Sequence, residues 1–357
     1  MNSSSYLLSA EGALPGKRVS QKKALSLAQA QNSSNARQKK LLKVVYEKVG
    51  IEARHSVLTQ GPAVNQVAFN DFFVGTGPGT QERMLQFETC APKLAHAAAE
   101  KAILAAGISS KNISHLVSVS CTGFAAPGFD ISILKSLNLD PSVSRTHIGF
   151  MGCHGVFNAL RVASALNKPG QDVLVCSVEL CSLHYRHGVD IRKVLGNSLF
   201  SDGAGAAIVS SVRHSPWNWR IAAQGSFIIP GTEDAIEWHI GNSGFEMGLS
   251  PKIRSLIQTH LRDWLERWLG RNNMKLQDVR SWAVHPGGPG VLDAVEKSIG
   301  LSKQSLKYSR NVLRSFGNMS SATILFILNE IMREGGPTPC VALGFGPGLT
   351  IEAALFL

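Results

Sequence analysis

A cysteine, a histidine and an asparagine stand at chain positions where side chains commonly do chemistry. Cys153 follows a glycine and opens a run with helical apolar spacing that ends at Leu166. At a helix N-terminus, unpaired backbone N–H groups and the helix dipole favour an anion, so we expect the pKa of this thiol to be lowered. A cysteine in that setting is a nucleophile, whereas most free cysteines are ordinary core residues, and that alternative stays open.

The other two residues have comparable settings. His285 ends a predicted strand in the run SWAVHPGG, and Asn318 is predicted to start a helix in the run SFGNMSS. In open α/β sheets, active sites gather beyond the carboxyl ends of strands and at helix N-termini. A thiolate attacks an acyl thioester, and a histidine with an asparagine amide donates hydrogen bonds to an oxyanion or enolate. Singly, His285 is equally a structural histidine and Asn318 equally a helix cap, but with Cys153 they predict thioester chemistry.

The elements that must position these residues alternate between strands and helices. Strands are predicted at 115–120, 143–150, 172–178, 204–212, 279–284, 340–343 and 349–357, and helices at 36–50, 81–106, 131–137, 153–166, 253–269, 291–299 and 322–333. Residues 70–82 are predicted to be a loop, and a polar segment precedes residue 36. This order predicts a largely parallel buried sheet with helices on its faces. Because similar units recur on both sides of a polar junction, we expect a duplicated α/β unit with halves 1–213 and 214–357.

Composition limits the class of protein. The chain has 357 residues, of which 44% are hydrophobic and 17% charged, as in a folded globular protein. No run of about eighteen apolar residues occurs, and the N-terminus lacks the features of a signal peptide, so we expect a cytoplasmic protein without a membrane span. The six cysteines form no Cys-x-x-Cys pair and have no zinc-like histidine spacing, so reduced thiols and no metal site are expected.

The net charge of +11 arises largely from cations early in the chain. These cations are Lys17, Arg18, Lys22, Lys23, Arg37, Lys39, Lys40, Lys43 and Lys48. Such a face attracts nucleic acid, an anionic membrane surface or a phosphate-bearing substrate. The cations are spread along a helix-like stretch without a series of interleaved aromatic residues, which disfavours nucleic acid as the partner. Nucleic-acid binding would be steeply salt-dependent.

Longer motifs extend the pattern from three residues to the whole chain. They are Gly152-Cys153, Phe200 within LFSDGAGAAIV, HPGGPGVLDAVE at 285–296, FGNMSSATILFIL at 316–328 and GFGPGLTIE at 344–352. With them the chain, from about residue 6 onward, resembles the type III polyketide synthases of the chalcone synthase superfamily. The resemblance implies an α/β, thiolase-like fold with a duplicated αβαβα layered arrangement of two pseudo-equivalent halves. It also implies a homodimer.

The resemblance implies a role for each member of the triad. Cys153 is loaded with a starter acyl group from coenzyme A. His285 and Asn318 polarise the malonyl thioester and stabilise the carbanion equivalent that decarboxylation releases. That nucleophile attacks the acyl-Cys153 thioester, and the chain grows by two carbons. Acyl-CoA and malonyl-CoA are therefore the substrates, and no resident cofactor is implied.

Two further sets of residues match positions that contact the substrates in this family. Phe200 and Phe245 match gating phenylalanines between the coenzyme A tunnel and the cavity. Lys48 matches a cation that meets the coenzyme A phosphates. Lys43 and Lys40 are candidates for the same role, but they lie about one position from the expected spacing.

Several residues depart from the plant chalcone-forming pattern and bear on the product. Thr122, Ala126 and Cys181 resemble the small residues that open a side tunnel for long-chain acyl starters in bacterial members, although each is equally a routine core residue. His184 and Trp238 stand where chalcone-type enzymes carry threonine and glycine. Their bulk is expected to limit growth to tri- or tetraketides, unless Trp238 packs against a partner helix.

The mode of ring closure is less constrained. Glu179 and Ser320 match two members of a hydrogen-bond network credited with aldol-type closure in stilbene-forming relatives. The third position holds Cys121, whose thiol is a weak hydrogen-bond donor. This favours a lactone, that is an α-pyrone, and leaves a resorcinol open.

The predicted function is the iterative decarboxylative condensation of malonyl-CoA onto an acyl-CoA starter, with a fatty acyl starter favoured. Cyclisation then gives an alkyl-α-pyrone or an alkylresorcinol. The alternatives are a single condensation with a carrier-protein donor, as in ketoacyl synthase III, a chalcone-type synthase with a short or aromatic starter, and a non-catalytic thiolase-fold subunit. The HPGGP and GFGPG runs disfavour the first alternative, and the intact triad disfavours the last.

Overall fold

The computed structural model describes residues 4–16, 18–33, 35–59, 72, 75 and 77–357. Its strands are β1 (Ser5–Ala13), β2 (Arg18–Ser20), β3 (Ala53–His55), β4 (Ile113–Ser120), β5 (Ser144–Gly149), β6 (Asp172–Leu180), β7 (Asp202–Ser210), β8 (Trp219–Ile228), β9 (Ile236–Gly241), β10 (Gly244–Leu249), β11 (Ser281–Val284), β12 (Cys340–Gly346) and β13 (Thr350–Phe356). Its helices are α1 (Gln21–Asn32), α2 (Ala36–Lys48), α3 (Thr80–Ala106), α4 (Phe129–Ser136), α5 (Gly155–Leu166), α6 (Ile191–Leu199), α7 (Ile253–Arg271), α8 (Pro289–Ile299), α9 (Lys307–Phe316) and α10 (Thr323–Arg333).

The main sheet is mixed rather than parallel. Within the described residues its strand order is β11-β12-β13-β8-β1-β7-β6-β4-β5. The pairs β11–β12, β4–β5 and β4–β6 are parallel, and the other neighbours in the sheet are antiparallel. The prediction of a largely parallel sheet is therefore wrong. Continuous apolar runs show that a strand is buried on both faces, but they do not show which way its neighbour runs.

The sheet repeats one pattern of strands on both sides of the β1–β8 pair. β1, β7, β6 and β4 on one side correspond in order and relative direction to β8, β13, β12 and β11 on the other. β1 and β8 themselves pair antiparallel, with Tyr6 opposite Arg220. The boundary predicted between residues 213 and 214 falls in the connection between β7, which ends at Ser210, and β8, which begins at Trp219.

Three large hydrophobic clusters define the layers. The central cluster places α5 and α10 between β4, β6 and β7 of the first half and β12 and β13 of the second. A second cluster packs α3 and α4 on the outer face of the first half, and a third packs α7 and α8 on the outer face of the second. The two halves of the main sheet therefore form two sheet layers, with α5 and α10 between them and the other packed helices outside. This order of helix, sheet, helix, sheet, helix confirms the α/β, thiolase-like αβαβα prediction. The central helical layer is the one that carries α5, directly after Cys153.

Most predicted elements occur with ends shifted by a few residues, but three helices, α1, α6 and α9, were missed. α1 has few apolar residues and follows the polar cap of Ser20, whose hydroxyl accepts from the Lys23 N–H. α9 has a helical signal in Tyr308, Val312 and Phe316 that the sequence prediction passed over. Most of the loop predicted at 70–82, and Lys17, lie outside the described residues. Across the described ranges, no helix combines the length and apolarity needed to cross a membrane.

Candidate active site

A cavity of about 190 Å³ receives the side chains of all three triad residues. Cys153 lies in a short 3-10 turn, Gly152–His154, directly before α5. His285 directly follows β11, and its N–H donates to the Leu343 carbonyl at 2.8 Å. Asn318 lies between α9 and a second 3-10 turn that begins at Ser320. Three residues far apart in sequence thus line one cavity.

The backbone around Cys153 is held in an unusual conformation. Gly152 has a φ of +76°, and a Cβ atom there would lie 2.4 Å from Cδ of Pro347. Only glycine fits this close approach without displacing the proline ring. Phe150 (φ 56°) and Ser320 (φ 47°) also have positive φ without being glycine. Such strain persists only where the surroundings impose it, and it often accompanies functional turns.

Burial decides the charge state of the thiol and the imidazole. It raises the pKa of the Cys153 thiol to about 12, although the neighbouring side chains of Ser320 and Asn318 oppose the rise. It lowers the pKa of His285 to about 3. The prediction of a lowered thiol pKa is therefore wrong, because the loss of solvation outweighs the effect of the helix start. A neutral thiol and a neutral imidazole face the cavity at pH 7.

The triad presents polar atoms that the fold does not satisfy. Among the described residues, both ring nitrogens of His285 and the Nδ2 of Asn318 are buried without a hydrogen-bond partner. The Oδ1 of Asn318 accepts from the Ser320 N–H at 2.8 Å, so the amide is oriented with its N–H groups free. Buried polar groups are nearly always paired, so these atoms are available to a bound substrate.

Asn318 does not start a helix. It forms an isolated parallel bridge with Phe200, in which its N–H donates to the Leu199 carbonyl at 3.0 Å and its carbonyl accepts from the Ser201 N–H at 2.9 Å. The helix that follows, α10, starts only at Thr323. The predicted helix start is therefore wrong, and a long-range backbone bridge positions this amide beside the candidate gate.

Both predicted gating residues line the cavity, and the second is tied to a histidine. The ring of Phe245 stacks on His184 with 4.2 Å between centroids. Nε2 of His184 donates to the Thr122 carbonyl at 2.7 Å, and Nδ1 accepts from the Phe245 N–H at 2.9 Å. Trp238 Nε1 donates to the Cys121 carbonyl at 2.7 Å. Since burial lowers the pKa of His184 to about 3, this clamp between the β9–β10 hairpin and residues 121–122 persists at physiological pH.

The side chains that donate hydrogen bonds to Glu179 belong to Thr122 and Ser321, each one position after the predicted Cys121 and Ser320. The Glu179 carboxylate accepts from the Thr122 hydroxyl at 2.8 Å, from the Cys121 N–H at 3.1 Å and from the Ser321 hydroxyl. Ser320 lies instead at the cavity wall beside the candidate nucleophile. Burial raises the pKa of Glu179 to about 7, and its hydrogen bonds oppose the rise. Serines 320 and 321 are alike in type, so sequence alone could not separate their roles.

The small residues predicted to open an acyl tunnel do not all reach the cavity. Thr122 and Cys181 line it. Ala126 is exposed and is not among the lining residues of the described chain, because the loop turns outward before α4. A small side chain at that position adds no volume to this cavity.

The cations that line the cavity are not the lysines predicted to bind coenzyme A. Lys40, Lys43 and Lys48 are exposed on α2, and none of them is a lining residue in the part of the chain that the structure describes. The lining cations are Arg54, Arg186, Arg192 and Lys193. Sequence reasoning missed these residues, since they lie in runs without helical charge spacing.

Comparisons with known proteins agree with this geometry. Models of the N-terminal and C-terminal domains of chalcone and stilbene synthases match residues 2–212 and 220–357. The alpha-pyrone synthesis polyketide synthase-like Pks18 of Mycobacterium tuberculosis is 32% identical over 286 residues, which cover 77% of this chain and 73% of Pks18.

Solved structures of type III polyketide synthases share the whole fold. PKS-I from the brown alga Ectocarpus siliculosus superposes with a TM-score of 0.92 at 28% identity, covering 100% of this chain and 98% of the other. The bacterial type III enzyme 1,3,6,8-tetrahydroxynaphthalene synthase from Streptomyces coelicolor superposes with a TM-score of 0.87 at 27% identity, covering 98% of each chain.

Proposed function

The chain belongs to the chalcone and stilbene synthase family of type III polyketide synthases, and we propose that it joins an acyl-CoA starter to malonyl-CoA units through Cys153, His285 and Asn318. The observation that carries the proposal is the convergence of a thiol, an imidazole and an amide on one cavity, with both ring nitrogens of His285 and the Nδ2 of Asn318 unpaired. Loading needs a nucleophile and a group that takes its proton, and decarboxylation needs donors for the developing enolate oxygen. These three side chains supply each of them.

Loading begins with a neutral thiol. As Sγ of Cys153 attacks the thioester carbon, His285 takes the thiol proton, because its own pKa leaves the ring unprotonated at pH 7. The tetrahedral oxyanion collapses, the bond to the coenzyme A sulfur breaks, and His285 returns the proton to that leaving thiolate. The acyl group is left on Cys153.

Extension uses the unpaired donors. A ring N–H of His285 and the Nδ2 of Asn318 donate to the thioester oxygen of malonyl-CoA, where negative charge develops as CO₂ leaves. The enolate carbon then attacks the acyl-Cys153 carbonyl, the carbon–sulfur bond breaks, and the thiolate is released for the next cycle. Each cycle adds two carbons.

We propose a fatty acyl starter and an alkyl-α-pyrone product, with an alkylresorcinol as the competing outcome. The apolar residues Ala24, Leu27 and Ala28 form one face of α1 and line the cavity, which gives an alkyl chain a surface to contact. The M. tuberculosis relative is named for alpha-pyrone synthesis. The Cys121 thiol accepts a hydrogen bond from the Gly152 N–H at 2.9 Å and makes no bond to Glu179 that would assist aldol closure.

A starter panel tests this proposal. The purified protein is given malonyl-CoA with acetyl, long-chain fatty and aromatic acyl-CoA, and products are identified by mass spectrometry. Long-chain pyrones or resorcinols support the proposal. Products from aromatic or short starters alone contradict the fatty acyl starter, and a single condensation that requires a carrier-protein donor contradicts the type III reaction.

Trp238 is expected to limit the number of extensions. Trp238→Ala removes an indole from the cavity wall, and we expect the ratio of longer to shorter polyketides to rise by about tenfold, the scale on which a pocket discriminates by size. Trp238→Phe is the matched control, because it keeps an aromatic ring but loses the hydrogen bond to Cys121. Its product profile should match the wild type. Equally longer products from Trp238→Phe and Trp238→Ala would assign the effect to the lost hydrogen bond instead of the lost bulk.

Arg192 and Lys193 are expected to bind the coenzyme A phosphates, since they line the cavity from α6. The double variant Arg192→Ser and Lys193→Ser should raise the KM for malonyl-CoA by about tenfold, with kcat within about twofold, and added salt should shrink the difference. The matched control is Lys43→Ser with Lys48→Ser on α2, since Lys48 is the residue that the resemblance matches. A rise in KM confined to the α2 variant would place the phosphates on α2, as the sequence resemblance implies.

We also propose that the protein is a homodimer. β5 forms one edge of the main sheet, and Phe124 (37% exposed) and Met151 (39% exposed) present apolar surface close to it. The molar mass in solution, measured by light scattering, tests this.

A further inference from the structure

Arg54, on β3, is a buried arginine whose guanidinium reaches the end of α6. The residue is 7% exposed. Its Nη1 donates to the carbonyls of Asn197, at 2.5 Å, and Phe200, at 3.1 Å, and its Nη2 donates to the carbonyl of Ser198. A helix leaves its last carbonyls without partners, and a cation there is also favoured by the helix dipole. One side chain thus satisfies the C-terminus of α6.

The end of α6 that Arg54 holds carries both the gate and the candidate oxyanion donor. Phe200 directly follows the helix, and Asn318 exchanges backbone hydrogen bonds of 3.0 and 2.9 Å with the residues on either side of it. Gly317, with a φ of +76°, packs so closely that a Cβ atom there would lie 3.0 Å from Cβ of Ser201 and 3.6 Å from Cβ of Arg54. The segment that presents the Asn318 amide therefore rests directly on this arginine.

Gln21 completes the contact from α1. Its Oε1 accepts from Arg54 Nη2, and its Nε2 donates to the carbonyls of Ser198 and Tyr46, each at 3.1 Å. The Arg54 guanidinium also makes a cation–π contact with Tyr46, at 5.8 Å from the centroid of its ring. Three early elements, β3, α1 and α2, are thereby joined to the end of α6.

We propose that Arg54 is a positioning residue for the decarboxylation step, which fixes the Asn318 amide through the end of α6. The inference rests on the proposed role of Asn318. Cys153 is held by a different element, the turn before α5, so loading does not depend on this contact. The expected signature is a selective loss, in which decarboxylation falls and acylation of Cys153 continues.

The test compares the two half-reactions in the full-length chain. Arg54→Met keeps the aliphatic part of the side chain and removes its hydrogen-bond donors. Arg54→Lys keeps the positive charge, but its single nitrogen replaces the two nitrogens of Arg54 that donate to the carbonyls. The rate of CO₂ release from malonyl-CoA should fall by about 100-fold in Arg54→Met, which is the expected cost of misplacing the Asn318 amide by about 1 Å. The KM for malonyl-CoA should stay nearly unchanged. Acylation of Cys153 by acyl-CoA, followed by intact-protein mass spectrometry, should change less than about threefold. Arg54→Lys should fall between wild type and Arg54→Met.

Arg262→Met is the matched control, because Arg262 also donates to a carbonyl near the end of a helix, that of Ser298 at 2.8 Å, but in the second half. It should leave both half-reactions unchanged. Equal losses of loading and decarboxylation in both Arg54 variants, or no loss in either, would overturn the positioning role. A wild-type protein that releases no CO₂ from malonyl-CoA would instead refute the proposed function, so the two failures are distinguishable.

Discussion

Replacing Cys153 with alanine is expected to lower the rate of polyketide formation by about a million-fold, the scale of removing a catalytic nucleophile. The acyl group then has no side chain to bond to, because covalent loading divides the transfer into two steps through this sulfur. CO₂ release from malonyl-CoA is expected to continue, since His285 and Asn318 keep their unpaired atoms. Product is measured by mass spectrometry and CO₂ by its release from labelled malonyl-CoA.

The other cavity thiols are not expected to replace Cys153. Burial raises the pKa of Cys121 and of Cys181 as it does that of Cys153, so their positions make the difference. The Cys121 sulfur is engaged by the Gly152 N–H, and Cys181 lies in the turn after β6 and not in the turn before α5. Cys181→Ala is the matched control, because it removes a thiol from the same cavity, and its rate should stay within about threefold of wild type. A Cys153→Ala protein that forms product at a tenth of the wild-type rate or faster would show that another group accepts the acyl chain.

Replacing Asn318 with aspartate is expected to lower the rate of decarboxylation by about 100- to 1,000-fold, the cost of losing one oxyanion donor. Aspartate keeps the shape of the side chain, the oxygen that accepts from the Ser320 N–H and the backbone bridge to Phe200. It loses the Nδ2 donor, and its negative charge opposes the developing enolate. Because Asn318 is buried, the unpaired carboxylate is also expected to lower stability, so the rates are compared at a temperature where the variant stays folded.

Asn318→Ala shows whether the Asn318 side chain acts as a hydrogen-bond donor in catalysis or only stabilises the fold. It leaves the Ser320 N–H without its acceptor, which costs about 1–3 kcal/mol if the group stays buried, so a lower melting temperature is expected in this variant too, but with no added negative charge beside the enolate. Acylation of Cys153 should persist in both. Wild-type CO₂ release by Asn318→Asp would remove this amide from the mechanism.

The sequence predicted the parts of the fold that local periodicity determines. The long apolar spacing of α3 and its Gly107 cap, with a φ of +66°, define both ends of that helix. The strand direction in the main sheet is a long-range property, and so is the bridge between Phe200 and Asn318. No local pattern encodes either, which is why the parallel sheet and the helix start at Asn318 were predicted wrongly.

In the candidate site, too, local sequence patterns predict some features and long-range contacts determine the others. Cys153 and His285 line the cavity and lie in distinctive motifs, so sequence alone made them candidates. Trp238 also lines the cavity, but only the family resemblance drew attention to it. Their electrostatics depend on burial, so the raised pKa of the thiol could not be read from its place before a helix. Arg54 carries no motif, and its contacts join segments separated by more than 140 residues.

A loading and chase measurement tests whether Cys153 carries the growing chain and whether His285 and Asn318 extend it. The protein is mixed with a fatty acyl-CoA, the acyl adduct is mapped by peptide mass spectrometry, and malonyl-CoA is then added. We predict an adduct on Cys153 that malonyl-CoA converts to released polyketide in wild type and leaves in place in Asn318→Asp. Product formation without an adduct on Cys153, or an adduct that malonyl-CoA does not discharge in wild type, would contradict the account.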